Sequence, residues 1–139
     1  MKLSYFSESI AIQTFENLPF IERIDFRDNP KLLQPDLNWP PFVLSIQSIN
    51  HKTLKHLGLS KTDIYYRPFY LMAPFMDHLE SIDLSDNLFN FLGYTSGILS
   101  VQVFPHMKNL TALDMRNSDI TLIHKETFRP LSNLRYALT

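Results

Sequence analysis

The apolar residues of this chain recur in blocks of a fixed shape, with neither a helical period nor simple alternation. In Leu79-Glu80-Ser81-Ile82-Asp83-Leu84-Ser85-Asp86-Asn87, apolar side chains take the first, fourth and sixth places and an Asn the ninth. The same frame runs from Ile21 through Ile24 and Phe26 to Asn29, and from Leu54 through Leu57 and Leu59 to Thr62. It returns from Leu110 through Leu113 and Met115 to Ser118, and begins once more at Leu134. A second apolar element lies between blocks: Phe15-x-x-Leu18, Phe104-x-x-Met107 and Phe128-x-x-Leu131. The units start at residues 21, 54, 79, 110 and 134.

Each place in the frame has a physical role. The apolar-x-apolar step predicts a short strand with one face inward. Strands of successive units stack in parallel, because no unit can bury its apolar face alone. At the turn that follows, Asn29 and Asn87 each bring an amide able to pair buried backbone groups. Thr62 and Ser118 occupy the same column and can satisfy fewer such groups, so those two turns are expected to be looser. Phe15, Phe104 and Phe128 are expected to form a second internal column on the outer side of the coil. Two longer units carry extra segments, Leu32 to Asn50 with Pro35, Trp39, Pro40 and Pro41, and Asn90 to Val103 with Gly93, Tyr94 and Gly97. Insertions of this kind lie in loops, either as irregular crossovers or as functional surface.

The pattern L-x-x-L-x-L-x-x-N with a downstream Phe resembles the leucine-rich repeat over most of the chain. The fold expected from it is an α/β leucine-rich-repeat solenoid, a curved coil with short parallel strands on the concave face and an irregular or helical convex side. About five repeats form one domain over residues 1–139, without polar caps: a partial repeat 1–20, repeats 21–53, 54–78, 79–109 and 110–133, and a partial repeat 134–139. Uncapped ends expose apolar faces, so the isolated chain is expected to be marginally stable or self-associating.

Composition narrows the function. With 13 Lys+Arg against 14 Asp+Glu, the net charge of −1 supplies no broad basic face for nucleic acid or an anionic membrane. The absence of Cys excludes disulfides, thiolate zinc sites and cysteine nucleophiles. Met1 to Glu8 holds no apolar run of signal-peptide length, and the densest apolar stretch, Tyr65 to Met76, is broken by Arg67, Pro68 and Pro74. The chain is therefore expected to lack a signal peptide and a membrane segment and to make no membrane contact itself. The five His (51, 56, 78, 106 and 124) fall in different repeat positions with no metal-ligand spacing. No nucleophile elbow, phosphate-binding loop or dinucleotide fingerprint occurs. A non-catalytic protein without metal or cofactor is expected.

The outward positions of the strands carry Glu22, Asp25 and Arg27 in one unit and Lys55 and His56 in the next. Glu80, Asp83 and Asp86 follow, then Asp114 and Arg116. Asp25, Asp83 and Asp114 form an acidic column broken by Gly58. This face reads as a concave surface for a protein, glycan or lipid ligand, or as a solvated sheet face whose charges confer solubility. It is expected to lack exposed aromatic side chains. Asn109-Leu110-Thr111 fits the N-glycosylation triplet, at the rim just before a strand.

The units around Leu79–Asn87, Asn109–Asn117 and Ile120–Leu134 are similar to those of extracellular leucine-rich receptors, Toll-like receptor ectodomains above all. That resemblance implies an innate-immune receptor acting in pattern recognition and signal transduction, dimerising with a second receptor chain, with this segment on the extracellular side of the membrane. An intracellular leucine-rich scaffold or regulator in the cytoplasm, or an adhesion or matrix protein, is built from the same motif.

Overall fold

A computed structural model describes residues 18, 20–30, 53–64, 76–88, 98–99, 104 and 106–139. Seven short strands occur in them: β1 (Arg23–Asp25), β2 (His56–Gly58), β3 (Ser81–Asp83), β4 (Ile98–Leu99), β5 (Ala112–Asp114), β6 (Leu122–Ile123) and β7 (Tyr136–Leu138). Five of them form one sheet in the order β1-β2-β3-β5-β7, and every pairing is parallel. Ile24, Leu57, Ile82, Leu113 and Ala137 stand in a row. Chain segments of unequal length thus return the strand to the same register each time. This is compatible with an open, solenoid-like coil.

The strands are short because their context is. A tight turn precedes β1, β3, β5 and β7, closed by backbone bonds from Ile21 N–H to Leu18 O, Leu79 N–H to Met76 O, Leu110 N–H to Met107 O and Leu134 N–H to Leu131 O. Three extended residues follow, of which the middle one is buried in β1, β2, β3 and β5. The chain then turns through a residue with positive φ, at Asp28, Lys61, Asp86 and Asn117. Asp and Asn tolerate this left-handed region better than most side chains; Lys61 is the exception in chemistry.

Behind the sheet, the core runs continuously through Ile24 and Phe26, Leu57 and Leu59, Ile82 and Leu84, and Leu113 and Met115. Leu54, Leu79, Leu110 and Leu131 close it on the side where the strands begin. At β7 the inward position is Ala137, and all three residues of that strand are exposed.

On the outer side, β4 pairs with β6, and the rings of Phe104 and Phe128 stack with centroids 5.9 Å apart. Phe15 lies outside the described residues, as do the extra segments Leu32 to Asn50 and Asn90 to Val103, apart from Ile98 and Leu99. No helix occurs among the described residues, so the helical convex pieces expected from the sequence are not seen there. Residues 120–133 form turns and the strand β6; Ile120, Thr121, Ile123 and Thr127 are β-branched and Pro130 follows, all of which disfavour a helix.

Candidate concave binding face

Two rows of side chains stand outward on the sheet. Pairing puts Arg23, His56, Ser81, Ala112 and Tyr136 in one row and Asp25, Gly58, Asp83, Asp114 and Leu138 in the other. Together with Arg27 they line an open groove of about 290 Å³. Of the residues expected from the sequence, Asp25, Arg27, His56, Asp83 and Asp114 meet in this groove.

The others lie elsewhere. Glu22, Lys55 and Glu80 each precede a strand. Their carbonyls accept the first rungs of the parallel ladder, Glu22 O from Lys55 N–H and His56 N–H, Lys55 O from Glu80 N–H and Ser81 N–H. Lys55 Nζ lies 3.6 Å from Glu80 Oε1, forming a separate charged row at the groove's edge. Asp86 sits in the turn beyond β3 with φ 57. Its carboxylate accepts from Ser60 Oγ at 3.3 Å and from Asn117 Nδ2 at 3.1 Å, so it links three successive units. Asp86 and Arg116 line a second recess with Ser85, Asn117 and Thr139.

The acidic column has a structural function that the sequence pattern conceals. Asp25 Oδ1 accepts from Arg27 N–H at 3.1 Å, Asp83 Oδ1 from Ser85 N–H at 3.0 Å, and Asp114 Oδ1 from Arg116 N–H at 3.1 Å. Each carboxylate closes the turn at the end of its own strand, an Asx turn. Arg27 and Arg116 then fold back on the same carboxylates, Nη2 to Oδ2 at 2.7 Å in both cases. The Arg116 guanidinium holds the Asp114 carboxyl below its ordinary range despite partial burial, and Arg116 and Arg27 are raised by their carboxylates in return. Asp83 has a serine in place of that arginine, and Ser85 Oγ donates to Asp83 Oδ1 at 2.7 Å. Gly58 interrupts the column for a steric reason: a Cβ there would lie 2.7 Å from Asp25 Oδ1.

Four further residues line the groove, Arg23, Ser81, Tyr136 and Leu138. Arg23 and Ser81 were legible as outward positions, and Ser81 Oγ lies 2.7 Å from His56 Nδ1. Tyr136 and Leu138 were concealed because after Leu134 the frame continues with Ala137 and Thr139 in place of large apolar side chains; counting outward positions from Leu134 would have found them. Tyr136 is 68% exposed, which corrects the expectation of a face without exposed aromatics.

The turn column Asn29, Thr62, Asn87 and Ser118 is buried throughout. Asn29 Nδ2 donates to Phe26 O and Arg27 O. Asn87 Nδ2 donates to Leu84 O and Ser85 O in its own turn and to Leu59 O in the preceding one. Its Oδ1 accepts from Thr62 N–H and Ile64 N–H. The turn at Thr62 is therefore fastened from the next unit as well as by its own hydroxyl, 2.7 Å from Leu59 O, and is not loose. Ser118 Oγ reaches Leu84 O at 3.3 Å and Arg116 O at 3.2 Å. The two turns without Asn each contain a second left-handed residue, Asp63 and Asp119. Burial raises the Asp63 carboxyl above its ordinary range.

Asn109 stands half-buried at the rim, its Nδ2 donating to Asp77 O at 2.8 Å. Asn133 repeats the arrangement with Lys108 O at 2.6 Å, so this position ties the segments before successive strands together. Among the described residues no group of three His, Cys, Asp or Glu could hold a metal ion, and no helix is long and apolar enough to cross a membrane. No family model matches the chain, and no curated protein matches it.

Proposed function

We propose that the chain is a leucine-rich-repeat module, a non-catalytic binding segment of a receptor resembling Toll-like receptor ectodomains, acting in innate-immune pattern recognition and signal transduction. The observation that carries this reading is the coincidence of motif and geometry. The places of L-x-x-L-x-L-x-x-N are those that pair in register, fill the core and fasten the turns. The groove on the strand face supports a binding role, since solenoids present extended concave surfaces to partners. In this reading the segment is extracellular and meets a protein, glycan or lipid ligand, or a second receptor chain, through its strand face and flanks.

The test is the location and glycosylation of the native protein in the cells that make it. An antibody raised against this segment is expected to label the surface of intact cells. Peptide-N-glycosidase treatment should lower the mass of the labelled protein, and Asn109→Gln should remove the contribution of that site. Labelling only after permeabilisation, of an unglycosylated cytosolic protein, would contradict the receptor reading in favour of an intracellular scaffold.

A further inference from the structure

Asn109, Leu110 and Thr111 fit the acceptor triplet for N-glycosylation, and the fold leaves these three residues very unequally free. Asn109 stands half-buried at the rim, and Nδ2 donates one of its two hydrogens to Asp77 O at 2.8 Å. The second has no acceptor among the described residues. Leu110 is buried, and its N–H closes the turn to Met107 O. Thr111 enters the sheet between β3 and β7. Its N–H donates to Glu80 O at 2.9 Å, and its carbonyl accepts from Arg135 N–H and Tyr136 N–H. Its Oγ1 also donates to Glu80 O, at 3.0 Å. The hydroxyl that makes the triplet an acceptor is therefore a rung between two units.

We propose that Asn109 accepts a glycan only while β5 is off the sheet, and that the folded coil then keeps both the glycan and the tie to Asp77. This rests on the reading of the chain as an extracellular segment and adds when, relative to folding, its site is modified. In the reaction the Asn109 amide nitrogen bonds to the anomeric carbon of a lipid-diphosphate-linked oligosaccharide. The bond from that carbon to the diphosphate oxygen breaks, the lipid diphosphate leaves with the electron pair, and one Nδ2 proton passes to a base of the transferase. A transferase that demands Ser or Thr at the third place must reach the hydroxyl as well as the amide. Presenting both means drawing residues 109 to 111 out of the sheet. That breaks the rungs of Thr111 to both neighbouring units and brings Leu110 into water. Once the unit has docked, its own backbone closes the site. The hydrogen given up is the one that the fold leaves unused, so the other still serves Asp77 O.

The experiment offers purified oligosaccharyltransferase and its lipid-linked donor two acceptors. One is the unglycosylated full chain, its β5 amides shown by hydrogen exchange to be protected. The other is the peptide acetyl-Lys108-Asn109-Leu110-Thr111-Ala112-Leu113-amide, which has no fold to escape. Incorporation is read by mass. The peptide is expected to be modified at least about tenfold faster than the folded chain at equal concentration. Leu113→Ala loosens β5 outside the triplet and should speed modification of the full chain by at least about tenfold, while the same change in the peptide leaves its rate as it was. Chain glycosylated while unfolded should refold with its β5 amides as well protected as before, and Asn109→Gln should take up no glycan in any state. Three results overturn the proposal and leave the extracellular reading standing: modification of the folded chain as fast as the peptide, no gain in rate with Leu113→Ala, or lost β5 protection in the refolded glycosylated chain. A peptide that takes up no glycan overturns it too. The extracellular reading falls on a different result, cytosolic labelling of the native protein.

Discussion

Replacing Asn87 by Ala would take their acceptor from the N–H groups of Thr62 and Ile64 and remove one of two donors from each of Leu59 O, Leu84 O and Ser85 O. A buried polar group deprived of its bond destabilises by about 1–3 kcal/mol, and part of that is relieved where water enters. Asn87→Ala is therefore expected to lower unfolding stability by at least about 2 kcal/mol in denaturant titration, against about 1 kcal/mol for Ser118→Ala, whose two bonds are long. Equal losses at both sites would contradict the stapling role of Asn87. The turn column was legible in the sequence as a column because one place in the frame repeats. Its hierarchy was not, because an amide that faces two turns looks identical in sequence to one that faces a single turn. The second left-handed residue in the turns at Thr62 and Ser118 was equally hidden, since Asp63 and Asp119 read as ordinary surface acids. Asp63 is raised by burial, so its ionised form is disfavoured in the folded chain. That penalty operates above the folded-state value and disappears as the pH falls below the unfolded one. Asp63→Asn, which also suits a positive φ, is expected to raise the melting temperature at neutral pH, with the difference narrowing in acid.

At the scale of the strand and its turn, Asp114 has the opposite sign. Its carboxyl is lowered by Arg116, so the stability it contributes is complete above the unfolded-state value and is lost as the pH falls through the folded one. Asp114→Asn should flatten the acid limb of the stability-pH profile, read by thermal melts across that range. An unchanged acid limb would mean that the pair is too well solvated to matter. Gly58 tests the packing of the same column. A methyl group there meets the Asp25 carboxylate, which is held in turn by Arg27, so Gly58→Ala is expected to destabilise by about 1–3 kcal/mol, the usual range for overpacking. The double substitution Gly58→Ala with Asp25→Ala should recover most of that loss. The strands themselves were plain from the apolar-x-apolar step. The local pairing of Asp25 and Asp114 with their own arginines was not, because an acid and a base two residues apart on an extended strand point to the same face without any requirement to touch.

For the molecule as a whole, the core is one continuous stack, and a cavity at its middle weakens both neighbours. Leu113→Ala, at a position 1% exposed, is expected to destabilise by about 2–5 kcal/mol and to reduce amide protection in β3 as well as in β5. The sequence made the parallel stack of strands legible through its frame, whereas the last strand was obscured because Ala137 and Thr139 stand where the frame has large apolar side chains, and with it the apolar end of the groove. The central claim is that unequal chain segments return each strand to the same register, and the Cys-free chain makes it directly measurable. Pairs of spin labels introduced by Arg23→Cys, Ser81→Cys, Ala112→Cys and Tyr136→Cys probe outward positions on β1, β3, β5 and β7. Pulsed dipolar spectroscopy from Arg23 is expected to give separations rising in strand-sized steps, about 10, 14 and 19 Å to Ser81, Ala112 and Tyr136. Separations that grow with the lengths of the intervening segments, or that show no common step, would contradict the parallel, in-register coil.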